Sequence, residues 1–144
     1  MKYILLIFMV VIVIVKFRNI VNLFKTEDDY KETMSEALAG VQQFGRDGKD
    51  AVVGLLFIIS LISGLGYIIF YTISMVYVAN IWFSIFSALQ IVWTVKGVGK
   101  NLQTVSKMAK SETPTKPKTR HVMVNVVVEL AYIGYLLCFI MQKW

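Results

Sequence analysis

The longest uncharged stretch in the chain sets its architecture. Residues 51–95 contain no Asp, Glu, Lys, Arg or His. As one helix, 45 residues would run about 67 Å, roughly twice the ~30 Å hydrocarbon core of a bilayer. A single upright span cannot absorb that length, so the pattern predicts a hairpin of two spans, about 51–70 and 75–95. Tyr67, Phe70, Tyr71, Tyr77 and Trp82 cluster near the middle of the run. A hairpin would put a membrane–water interface there, where rings with an apolar body and a polar tip are favoured. Trp93 then marks the opposite interface, just before Lys96. The turn carries no Pro, and Gly64 and Gly66 precede it.

Two further spans flank this hairpin. Tyr3 to Val15 is apolar, and Phe17, Ile20, Val21, Leu23 and Phe24 carry the character on past Lys16 and Arg18. A helix over 3–24 can cross if those two cations snorkel to the headgroups. A signal peptide is the competing reading, but the residues after Val15 are Lys-Phe-Arg-Asn and offer no small-x-small cleavage site. An uncleaved anchor is therefore expected. The last span is Val122 to Met141, followed by an interfacial Gln142-Lys143-Trp144.

Between the first span and the hairpin the pattern changes. Tyr30, Met34, Leu38, Val41 and Phe44 recur at helical spacing within a polar stretch, giving an amphipathic helix over about 26–44. Glu27, Asp28, Asp29 and Glu32 suit its N-terminal dipole, Thr26 is the expected N-cap, and Gly45 and Gly48 the expected stop. Such a helix can lie on a membrane surface, on a partner helix, or on the protein's own spans. Residues 96–121, with Pro114 and Pro117, read as a basic loop. The sum is an all-α integral membrane protein in one domain: about four transmembrane helices, including the central hairpin, and one amphipathic helix at the cytoplasmic side or interface.

Composition agrees with that class. The chain is 57% hydrophobic, above the 45–50% usual for soluble domains, with a mean hydropathy of +0.65. Charge distribution fixes orientation. The two polar stretches, 16–50 and 96–121, carry thirteen of the fifteen Lys and Arg residues. A hairpin returns the chain to the side it left, so both stretches lie on one side, and basic loops favour the cytoplasm. Both termini are then outside, in what the small size and Ile/Lys-rich composition make a bacterial plasma membrane. Basic loops beside apolar spans serve topology, so nucleic-acid binding is not expected. Cys138 is the single cysteine, which rules out an intrachain disulfide and leaves it as a small apolar filler.

Candidate chemistry is sparse. Glu129 lies about 10 Å into the last span, where an unpaired acid costs on the order of 2.5–3.5 kcal/mol. It is the leading candidate for an ion or proton site or for a polar lock between helices. Asn125, one turn earlier, and Asn80 and Gln90 in the hairpin are its candidate partners. Ser60 with Gly64, and Ser84 with Ala88, form small-xxx-small pairs; Gly54, Ser63 and Gly66 add to the first helix. Small residues let backbones approach within one chain or between copies. Lys96, Lys100, Lys107 and Lys110 are candidates for anionic lipid headgroups. His121 stands alone, with no second ligand at metal spacing, and Gly97-Val98-Gly99-Lys100 lacks the spacing and hydroxyl of a phosphate loop. No metal, cofactor or enzymatic activity is expected.

Three functions fit. The first is a non-enzymatic accessory subunit, anchor or immunity-type factor that acts through helix association with a membrane partner or with itself. The second is a holin-like oligomer that permeabilises the membrane. The third is a small transporter or channel using Glu129.

Overall fold

The computed structural model describes residues 1–43, 45–110 and 119–142. Phe44, the segment 111–118 with both prolines, and the final Lys143-Trp144 lie outside the described residues. What is described is helical throughout: α1 (Lys2–Leu23), α2 (Glu27–Gln43), α3 (Gly45–Val78), α4 (Ile81–Ala109) and α5 (Thr119–Gln142). Three stretches are long and apolar enough to cross a membrane: Asp50–Val78, Ile81–Ala109 and Thr119–Gln142. Their large apolar side chains are widely exposed, as in Ile62, Leu65, Trp82, Leu89 and Val127. Water would penalise that surface, and lipid tails would not.

The helices divide into two compact units. The first combines residues 1–25, 69–88 and 117–144; the second combines 26–68 and 89–116.

In the first unit α1 packs on α5. Leu5, Met9, Ile12 and Lys16 are its buried positions, spaced four, three and four, which is one stripe of a helix. Val126, Glu129, Tyr132, Ile133, Leu136 and Ile140 form the matching stripe of α5. Neighbouring contacts give directions. Tyr71 meets Tyr132 and Tyr77 meets Phe139, so the end of α3 runs parallel to α5. Ser87 meets Tyr132 and Phe83 meets Tyr135, so the start of α4 runs against it. Phe8 reaches Phe70, which touches Tyr132, whereas Lys16 reaches Glu129, so α1 also opposes α5.

The turn between α3 and α4 is Ala79-Asn80, later than the expected 70–75. The reason is local chemistry rather than Pro or Gly. Ala79 takes φ 51°, the left-handed conformation that ends many helices. Asn80 then caps α4: its Oδ1 accepts from the backbone N–H of Trp82 at 2.9 Å and of Phe83 at 3.2 Å. Two substitutions check this. Ala79→Gly removes a Cβ penalty of about 1 kcal/mol and should raise the melting temperature in detergent. Asn80→Ala should lower it by losing a cap worth about 1 kcal/mol.

The later turn also revises the aromatic belt. Phe70 and Tyr71 are fully buried in the first unit, while Trp82 remains 77% exposed. Rings expected at an interface therefore divide into core and surface members.

The second unit holds α2, the first part of α3 and the rest of α4. Thr26 and Asp29 cap α2 reciprocally: the Asp29 N–H donates to Thr26 Oγ1 at 3.1 Å, and the Thr26 N–H to Asp29 Oδ2 at 3.2 Å. The apolar stripe of α2 keeps a half-buried Tyr30; the side chains of Met34, Leu38, Val41 and Phe44 lie outside the described residues. Gly45 and Gly48 do not end α2, since they belong to α3. The expected loop from Lys96 is also corrected. α4 continues to Ala109, because Gly97 and Gly99 cost a helix only about 1 kcal/mol each and no Pro intervenes before Pro114.

Candidate functional site: a buried ion pair beside an aromatic cluster

Glu129 is 2% exposed and Lys16 is 6% exposed. The Lys16 ammonium pairs with Glu129 Oε2, and the Tyr71 hydroxyl donates to Glu129 Oε1 at 3.0 Å. Both carboxylate oxygens are thus held by donors of the same chain, from α1 and from the end of α3. Lys16 does not snorkel to a surface, as its position had implied. It occupies the last described buried place of the α1 stripe and carries its charge inward.

A second polar contact sits beside the first. The Tyr132 hydroxyl, three residues beyond Glu129, shares a hydrogen bond of 2.8 Å with Ser87 Oγ. Ser74 brings another hydroxyl towards the same phenol. The serine hydroxyls also return to their own helices, Ser74 Oγ donating to the Phe70 carbonyl and Ser87 Oγ to the Phe83 carbonyl, each at 2.8 Å. Such bonding leaves no buried polar side-chain atom unsatisfied among the described residues, which is the condition for a buried network to help rather than harm.

Rings gather around Tyr132, beside the ion pair. Tyr132 stacks on Phe83 at 4.8 Å and meets Tyr71 edge-on at 5.1 Å and 86°. Phe70 closes a third side at 6.0 Å and Phe86 a fourth at 5.7 Å. Each such pair adds roughly 0.5–1.5 kcal/mol beyond its area. The ion pair itself is buried, with both side chains largely removed from solvent, and this strengthens it. Chemically, the arrangement is suited to joining four helical segments through one charge pair. It leaves neither oxygen of Glu129 without a donor.

The other candidates fall elsewhere. Asn80 is exposed and serves as the α4 cap, not as a partner of Glu129. Asn125 is half-buried on α5, and Gln90 is buried in the second unit. Among the small residues Gly64 is the one at a close approach, where an added Cβ would run into the Val98 side chain. A Cβ on Gly54 or Gly66 would meet nothing within 4 Å. Ser60 and Ser84 are half-buried, and Ser63 and Ala88 are exposed. Lys96, Lys100, Lys107 and Lys110 are all exposed on α4.

Sequence reasoning missed Lys16, Tyr71, Tyr132 and Ser87. The signal for Lys16 was available: it continues the Leu5, Met9, Ile12 register, so the stripe that packs also carries a cation, and an intramembrane acid needs one. Nothing comparable pointed to Tyr71, whose type suits an interface as well as a core.

The chain matches no known protein family, no characterised protein and no solved structure.

Proposed function

We propose that this chain is a non-enzymatic polytopic membrane protein that acts by helix association, as an accessory subunit or anchor for a partner in the same bilayer. The observation that carries the reading is the engagement of Glu129 by Lys16 and Tyr71. A carboxylate that is to load and release an ion or proton must present an open oxygen or a path to water. Here its two oxygens meet the chain's own donors at a buried position, as a structural lock requires. What remains for function is surface. The spans display long apolar faces, and α2 displays Glu27, Asp28, Glu32 and Glu36 to the solvent.

The same pair supports four spans rather than three. The objection to α1 as a span is its two inner cations, Lys16 and Arg18, and burial of Lys16 against Glu129 removes one of them from the lipid. With α1 crossing, α2 and the basic end of α4 lie on one face, the cytoplasmic one by the Lys and Arg count. Cysteines placed at Ser35 and Ser106, in a Cys138→Ser background, should then react with an impermeant reagent from the same side; reaction from opposite sides would remove the four-span arrangement.

Controlled expression tests the function. The membrane potential and growth should stay intact, and the chain should leave the membrane in mild detergent with a second polypeptide in fixed ratio. Collapse of the potential would instead identify a holin-like permeabiliser. Ion flux in reconstituted vesicles that Glu129→Gln abolishes would identify a transporter.

A further inference from the structure

We propose that the polar end of α4 is a binding strip for anionic phospholipid headgroups, formed by Lys96, Lys100, Lys107 and Lys110. In a loop these four lysines would share no direction. In the continuous helix to Ala109 they do. At 100° per residue they fall within an arc of about 80°, and all are exposed. The opposite face of the same turns carries Leu102, Val105 and Met108, which are buried or half-buried in the second unit. The helix is therefore held by one side and offers its cations on the other.

Length places the strip across the headgroup region. Ile81 to Val95 is uncharged. Counted from Ile81, the start of α4, a ~30 Å hydrocarbon core ends near residue 100, so Lys100 stands at its edge, Lys96 about 6 Å inside it, and Lys107 and Lys110 about 10 and 15 Å beyond it. Lysines bend their stems along the helix and reach several ångströms towards phosphate. Among the described residues none of the four has an acidic partner, unlike Lys16 with Glu129 and Lys31 with Glu27. An acidic protein segment could also neutralise the strip. The lipid is favoured because a strip continuous with a membrane span lies where lipid phosphate is most concentrated.

The test uses the full-length protein in neutral detergent, mixed with equal amounts of phosphatidylglycerol and phosphatidylcholine, with bound lipid counted by native mass spectrometry. Phosphatidylglycerol should be retained in preference, and the preference should weaken as salt is raised. Each Lys→Gln change should lower its affinity about fivefold. A charge-conserving variant separates a strip from diffuse attraction. Lys100→Gln and Lys107→Gln, combined with Asn101→Lys and Ala109→Lys, move two cations to the far side of the helix at exposed positions. This variant should bind phosphatidylglycerol more weakly than the parent. Equal binding by this variant, or equal retention of the two lipids by the parent, would overturn the proposal. If that variant fails to fold, Lys107→Gln with Ser106→Lys, both at exposed positions, conserves charge, moves one cation out of the strip and gives the same decision.

Discussion

Lys16→Met is expected to be the most damaging single substitution in the chain, lowering stability by about 3 kcal/mol. Removing one member of a buried ion pair costs about 3–5 kcal/mol, because the other charge is left without a counter-ion. The bilayer sets the lower end of that range, because the insertion penalty for an intramembrane acid is only about 2.5–3.5 kcal/mol. Glu129→Leu should do less harm, about 1–2 kcal/mol, because the freed Lys16 has a route that Glu129 lacks. Its long stem can bend towards the end of α1 and bring the ammonium to the headgroups. The two substitutions together should recover most of the loss, since an apolar pair of similar volume is often as stable as the ion pair it replaces. Tyr71→Phe removes one interhelical hydrogen bond and should cost about 0.6 kcal/mol. Unfolding in mixed micelles, followed by circular dichroism, measures all four. If the double variant is no more stable than Lys16→Met alone, the pair is not what joins α1 to α5. The order of the two single variants tests the geometry independently, because the reverse order would mean that Lys16 has no path to a surface.

The hairpin was legible because absence of charge over residues 51–95 is a global signal, set by the bilayer and not by any one side chain. Turn position is a local matter, and it went to Ala79-Asn80, where a side-chain cap outweighed the earlier glycines. The need of Glu129 for a partner was equally legible, because burial of an acid always carries a cost. Its identity was not. Lys16 lies near the other end of the chain, and the pairing depends on which face of α1 meets α5. Asn125, Asn80 and Gln90 are candidates by proximity in sequence or by type; Tyr71 carries no such signal, because Tyr is as much at home in an interface. The basic stretch was misread for a related reason. The helix-breaking effect of a proline is local, so it does not extend back to Lys96, and α4 continues to Ala109.

Gly64→Ala is the second substitution with a large expected effect, and its sign runs against intrinsic propensity. In an exposed helix the exchange gains up to about 1 kcal/mol. Here the new Cβ would enter the space of the Val98 side chain, and valine in a helix is confined largely to one rotamer, so it cannot swing clear. Relief must come from separating the two helices in the second unit, and overpacking of this kind costs about 1–3 kcal/mol. A net loss of about 1 kcal/mol or more is expected. Val98→Ala should make Gly64→Ala tolerable, and a double-mutant cycle isolates that coupling. Gly54→Ala and Gly66→Ala, which meet nothing within 4 Å, should be neutral or mildly stabilising. Self-association is read from the same set. Gly64 already accommodates a neighbour within its own chain, so a dimer built on small residues would have to use Gly54, Gly66 or the exposed Ala88 instead. Cross-linking yields that fall on Gly64→Ala but survive Gly54→Leu and Ala88→Leu would therefore reflect lost folding, whereas the opposite pattern would locate a contact between copies on faces that this chain leaves open.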